Sequence, residues 1–158
     1  MDPNIVRSVL YAQLPIDEAS RSLVYDDATS KTLVLGTKLI GNPTIGIGRN
    51  LLGKGISESE KIYLLSNDVT DVFSQLDNSI PWWRSLDSVR ASVLANMCFN
   101  MGVAKLLTFK KFLYALKVAD WNEALVEMKD SAWWNQVGQR AVRLGDEIIT
   151  GKSPNVKI

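Results

Sequence analysis

The chain has 158 residues, room for one domain or one core divided into two small lobes, and a chain of this size buries roughly 70% of its unfolded surface. A net charge of +1 argues against generalised polyanion binding, and so against a nucleic-acid partner; the absence of histidine excludes histidine-dependent serine or cysteine hydrolysis and a histidine-ligated zinc site. The single cysteine, Cys98, forbids an internal disulfide and sits in the apolar run 93–101, where it reads as a small core residue.

Charge is unevenly spread: residues 1–80 carry 7 Lys or Arg against 10 Asp or Glu, and residues 81–158 carry 11 against 7. A solvated face is the first reading of the positive half, adhesion to an anionic envelope the second. The start, Met1-Asp2-Pro3-Asn4, has neither the basic residues nor the apolar core of a signal peptide, and no stretch reaches the roughly 20 apolar residues of a membrane span. The expectation is a product that accumulates in the cytoplasm of the producing cell, without stable membrane association.

In chain order, Asp2 caps and Pro3 opens a first helix with an apolar stripe of Ile5, Val6, Val9 and Leu10. Pro15 predicts a break or kink, followed by a second short helical piece carrying Asp17 and Glu18. From Leu23 to Ile47 the pattern is that of strands. Thr32–Leu35 and Lys38–Ile40 flank Gly36-Thr37 like the arms of a hairpin, and Gly41-Asn42-Pro43 is a turn before a strand at Thr44. Ser57-Glu58-Ser59-Glu60 is a capping box, opening a helix that runs to the stop at Pro81. The second half reads as helical: a buried helix at 91–101 ending at Gly102, then helices at 108–118, 121–129 and 138–150, with a polar tail. Trp82, Trp83, Trp133 and Trp134 are read as core anchors in preference to sugar-stacking platforms.

Chemistry concentrates near the start. Glu18 follows an apolar helical run, where the dipole at the helix C-terminus disfavours negative charge and favours a proton-donating carboxyl. Asp27, nine positions on in a polar turn, is expected to stay ionised. Two carboxyls with different surroundings can divide acid and base work, and such a pair flanking a glycosidic bond is the general apparatus of glycoside hydrolysis. On Thr44-Ile45-Gly46-Ile47-Gly48, a strand period of two puts Thr44 and both glycines on one nearly bare face suited to close approach of a ligand; a glycine-rich turn or bulge is the competing reading.

Asp17-Glu18, Tyr25-Asp26-Asp27 and Thr44-Ile45-Gly46-Ile47-Gly48, in that order, resemble the catalytic lobe of the T-even phage lysozyme family of muramidases. Ser85–Arg90, Asn96–Gly102, Trp121–Ala124 and Trp133–Gln136 resemble its second lobe, so the likeness covers roughly 16–150. It implies an α+β, mostly helical, two-lobe fold: a single domain over 1–158, with a catalytic lobe of 15–56 holding a small antiparallel sheet, a long connecting helix of 57–80, and a helical lobe of 81–150 packed with 1–14. It further implies Glu18 as the acid, Asp27 and Thr44 as holders of the attacking water, and cleavage between N-acetylmuramic acid and N-acetylglucosamine. The partner implied is the glycan strand of peptidoglycan; no cofactor or metal is expected, and the chain is expected to be a monomer acting on the wall of a bacterial host after the membrane is permeabilised. Phe99 matches a position lining the sugar cleft, Asn50 falls at another cleft position with a different side chain, and Asn100 and Gln136 stand at polar positions near the lobe interface, with core packing or helix termination as the alternative for all four.

The sequence departs from the family at Ala19, where Gly is usual, at Arg49, where a His is common and whose replacement predicts a rearranged ion pair, and in a longer connection from Asp27 to Thr44. A lytic transglycosylase, which needs an acid but no attacking water, and a non-catalytic wall-binding protein are the rival readings.

Overall fold

The computed structural model describes residues 3–17 and 20–154. The chain divides into two compact units, residues 1–62 and 63–158. Glu18 and Ala19 lie outside the described residues, as do Asp2 and the end of the polar tail.

The first unit opens with helix α1 (Pro3–Asp17), which carries Pro15 inside it. Of the break or kink expected at Pro15, the break is absent: the helix runs on through Ile16 and Asp17. Proline there lacks the N–H that would bond the carbonyl four residues back, and the helix ends two residues later. Three short strands follow, β1 (Arg21–Asp26), β2 (Pro43–Gly46) and β3 (Arg49–Asn50), forming an antiparallel sheet in sequence order. Tyr25 pairs with Thr44 and Asp26 with Pro43 across β1 and β2, while Thr44 pairs with Asn50 and Ile45 with Arg49 across β2 and β3.

Two expectations for this region need correction. The segments flanking Gly36-Thr37 are not strands: apart from one isolated bridge, Thr32 to Tyr25, they form a loop whose tip is a turn with Thr37 N–H donating to the Val34 carbonyl at 3.0 Å. The strand at Thr44 also ends at Gly46, and Ile47-Gly48 is the connection to β3, with Gly46 and Gly48 in the left-handed region at φ 65° and 69°. These are the conformations a side chain resists. Thr44 is therefore not on an open glycine face; it is buried, 3% exposed.

Helix α2 (Glu58–Ser79) begins in the first unit and is roughly 33 Å long at 1.5 Å per residue. Its start is the predicted capping box: Ser57 Oγ accepts from the Glu60 N–H at 3.3 Å, and Glu60 Oε2 reaches back to the Ser57 N–H at 2.7 Å. Pro81 stops the helix and opens a 3-10 turn, Pro81–Ser85.

The second unit is helical: α3 (Ser88–Met101), α4 (Val103–Leu106), α5 (Lys110–Lys117), α6 (Trp121–Lys129), α7 (Ala132–Val137) and α8 (Gln139–Thr150). Asp87 caps α3 through the N–H groups of Val89 and Arg90, and Gly102, at φ 79°, ends it. The core is built on α3, with Val93, Leu94 and Met97 fully buried against Leu76, Phe112, Leu116, Met128, Leu144 and Ile148. Cys98 joins them, and burial pushes its thiol up, away from the reactive thiolate. Trp83 and Trp133 are buried as core anchors, each indole N–H donating to a side chain, Asp77 and Asn100 respectively. Arg90 lies over the Trp121 ring and donates to the carbonyls of Ile148 and Ile149, which satisfies groups left unpaired at the end of α8.

Candidate active site

Strand β1 delivers the chain into the turn that holds Asp26 and Asp27. Asp26 is 1% exposed, and a buried carboxylate is costly unless hydrogen bonds replace its water. Four backbone N–H groups do so: Ala28 at 2.9 Å, Thr29 at 3.3 Å and Gly41 at 3.0 Å on Oδ1, and Ile40 at 2.6 Å on Oδ2. The Ile40 N–H is the largest influence on its pKa, and with the others it outweighs burial and holds the carboxyl below the usual range. One side chain thus gathers both ends of the loop that leaves at Ala28 and returns at Gly41.

Asp27 is exposed, and its carboxylate faces the returning end of the same loop. Oδ1 accepts from the Asn42 backbone N–H at 2.6 Å and Oδ2 from the Asn42 side-chain amide at 3.1 Å, while the Asp27 N–H donates to the Asn42 carbonyl at 3.1 Å. Those two donors lower the Asp27 pKa, the backbone N–H most, against desolvation and the neighbouring charge of Asp26. Asp27 is therefore ionised at neutral pH, as expected from its polar turn. The Thr44 hydroxyl donates to the same Asn42 carbonyl at 3.2 Å. Asp27 and Thr44 thus meet on one residue, Asn42.

Gly41 permits this approach. A Cβ at that position would collide with Asp27 Oδ1 and lie 2.7 Å from the Ala28 nitrogen and 2.8 Å from its Cβ.

From β3, Arg49 makes an ion pair with Glu60. It grips Glu60 with both terminal nitrogens, at 3.1 and 2.6 Å, and also donates to the Gly55 carbonyl at 3.0 Å. Glu60 is lowered to about 2, first by the Ser57 N–H and hydroxyl and then by Arg49. The 51–57 turn is thereby closed from both sides.

The predicted substrate-binding residues fall in different settings. Asn50 lies in β3 opposite Thr44 and uses its side-chain oxygen to accept from the Gly53 N–H at 2.8 Å, so it supports a turn beside the site. In the second unit, Phe99 is 45% exposed and helps line a largely apolar groove of about 470 Å³ with Leu65, Val69, Phe73, Ala95 and Arg140. Asn100 accepts from the Trp133 indole N–H at 2.7 Å, and Gln136 is exposed on α7.

Asp26, Gly41 and Asn42 were not singled out by sequence reasoning. The adjacent Asp26-Asp27 pair at a strand end was the available signal for one carboxylate to hold the loop and the other to face outward. Gly41-Asn42-Pro43 reads from sequence as a turn; that Asn42 reaches back fifteen residues to Asp27 is a matter of tertiary geometry.

The phage lysozyme family model matches residues 22–145, a stretch that contains Asp27, Thr44, Asn50, Phe99, Asn100 and Gln136 and begins after Glu18. The chain is similar to two proteins of Dictyostelium discoideum, "Probable T4-type lysozyme 2", 35% identical over 99 residues, and "Probable T4-type lysozyme 1", 33% identical over 99 residues. Each alignment covers 61% of this chain and 58% of the relative. It is also similar to the "Pre-baseplate central spike protein Gp5" of Enterobacteria phage T4, 31% identical over 110 residues, which are 66% of this chain and 19% of that protein. With the family match running from β1 through most of the helical unit, the mostly helical fold with its small antiparallel sheet is the one the motifs implied, and the chain belongs to the phage lysozyme family.

Proposed function

We propose that this chain is a peptidoglycan-degrading muramidase, an endolysin that hydrolyses the β-1,4 bond between N-acetylmuramic acid and N-acetylglucosamine and so serves lysis of a bacterial host cell. The observation that carries the reading is the junction at Asn42, where an ionised carboxylate and a hydroxyl are tied to one backbone carbonyl and amide within a stretch matched by the phage lysozyme family. The two Dictyostelium relatives, named as probable lysozymes, support the same activity.

In this mechanism Glu18 protonates the glycosidic oxygen as the C1–O bond breaks. A water molecule, held by Asp27 and Thr44, attacks C1 from the opposite face and loses a proton to Asp27. Direct attack by water inverts the anomeric centre, and inverting enzymes hold their two carboxyls roughly 6.5–9.5 Å apart to admit that water. Two carboxyls, a hydroxyl and water suffice for the chemistry, so the reading needs no cofactor. Phe99, Asn50, Asn100 and Gln136 are the proposed sugar contacts, and the active form is a monomer. Among the described residues no helix is long and apolar enough to cross a membrane. The proposed route is accumulation in the cytoplasm of the host and access to the wall once its membrane is permeabilised.

Digestion of purified peptidoglycan followed by mass spectrometry of the fragments tests the reaction. The expected products carry reducing N-acetylmuramic acid ends that have gained one water. Anhydro-muramyl ends would instead identify a transglycosylase, and retention of the protein on peptidoglycan with no new ends would identify a binding protein.

A further inference from the structure

A water-holding carboxylate must present its oxygens in a fixed direction, yet the terminal torsion of an aspartate is intrinsically broad. Here that torsion is constrained from outside. The Asn42 backbone N–H and side-chain amide take one oxygen each, which sets the plane of the Asp27 carboxylate. An ionised carboxylate offers about four acceptor positions, so each oxygen keeps a lone pair free.

The same residue orients the hydroxyl. A carbonyl only accepts, so at 3.2 Å the Thr44 hydroxyl directs its proton to the Asn42 oxygen. The lone pairs of Thr44 Oγ1 then remain as acceptors. A water whose two O–H groups go to Asp27 and Thr44 keeps its own lone pair for attack.

We propose that Asn42 is the positioning residue of the water site, its side-chain amide fixing the plane of an Asp27 carboxylate that its backbone N–H holds by one oxygen, beside a Thr44 hydroxyl turned to its carbonyl. The inference rests on the reading of Asp27 and Thr44 as the water-holding pair. The rest of the loop serves this arrangement: Asp26 draws Ile40 and Gly41 inward, Gly41 has no side chain to push Asp27 away, and Asn42 follows directly. The lowered Asp27 pKa has the same origin, since the two Asn42 donors are its largest causes.

The test uses the whole chain, comparing wild type with Asn42→Ala and Asn42→Asp on soluble peptidoglycan fragments across pH. Loss of a hydrogen bond to a charged group predicts a roughly tenfold fall in kcat for Asn42→Ala, with KM held within about twofold. The acid limb of its pH profile moves to higher pH, because Asp27 loses a donor that favours its ionised form; Asn42→Asp, which sets a like charge beside it, moves the limb further. Unchanged kcat and an unmoved limb in both variants would overturn the proposal. A second measurement needs no variant: in wild-type protein the Asn42 side-chain amide resonances should shift with the titration of Asp27, and amide resonances that stay flat through that titration would overturn it equally. Failure of the underlying reading looks different: an Asp27→Asn variant with full activity would remove Asp27 from the reaction while leaving the Asn42 contact in place.

Discussion

Replacement of Glu18 by Gln is expected to lower turnover on peptidoglycan by at least about 100-fold, the lower end of the range for loss of a positioned general acid. The amide keeps the size and polarity of the carboxyl but has no acidic proton to give the departing oxygen. No other acid in the proposed mechanism replaces it, because Asp27 is held ionised by Asn42 and Asp26 is committed to four backbone N–H groups. The substitution is close to isosteric, so the thermal midpoint should stay within roughly 2 °C of wild type. Release of reducing ends, measured beside thermal unfolding on the same preparations, checks both parts. Retention of more than a tenth of the activity would remove Glu18 from the role of acid.

The second large effect is expected at a residue with no side chain. Gly41→Ala would drive a methyl group into Asp27 Oδ1 and to within 2.7 Å of the Ala28 backbone nitrogen. The Asp27 side chain can swing aside, but only by leaving the Asn42 donors; the Ala28 backbone has less freedom, because its N–H is held by Asp26. A displacement of about 1 Å in a reacting group costs on the order of 100-fold in rate, and forcing a methyl into a packed site costs about 1–3 kcal/mol. Gly36→Ala is the natural control. A Cβ there meets nothing within 4 Å, although its φ of +85° disfavours a side chain. That variant should lose about 1 kcal/mol of stability through the backbone and keep its activity. Equal activity in the two variants would show that the loop contact with Asp27 has no part in turnover.

Local signals carried much of the fold. The Ser57 and Glu60 capping box, Pro81 as a stop and Gly102 as a helix end each depend on residues within one turn of the feature, so the pattern alone places them. The loop between β1 and β2 was misread because its competition is non-local. Thr32–Leu35 and Lys38–Ile40 have the composition of strands, but Ile40 and Gly41 donate their N–H groups to the Asp26 carboxylate rather than to a neighbouring strand. Short α4 and α7 were missed for another reason: four and six residues are too few to show a helical period. At the site, the residue types of Asp27 and Thr44 were legible from their motif. Their junction was not, since Asn42 meets Asp27 only after the loop has closed on Asp26.

The measurement that reaches furthest into the proposed chemistry is the anomeric configuration of freshly released product, followed by proton NMR before mutarotation sets in. A water held by Asp27 and Thr44 opposite the departing sugar requires the first-formed N-acetylmuramic acid end to be the α anomer, inverted from the β linkage. A β anomer as the first product would mean retention through an intermediate, and would contradict direct attack by that water.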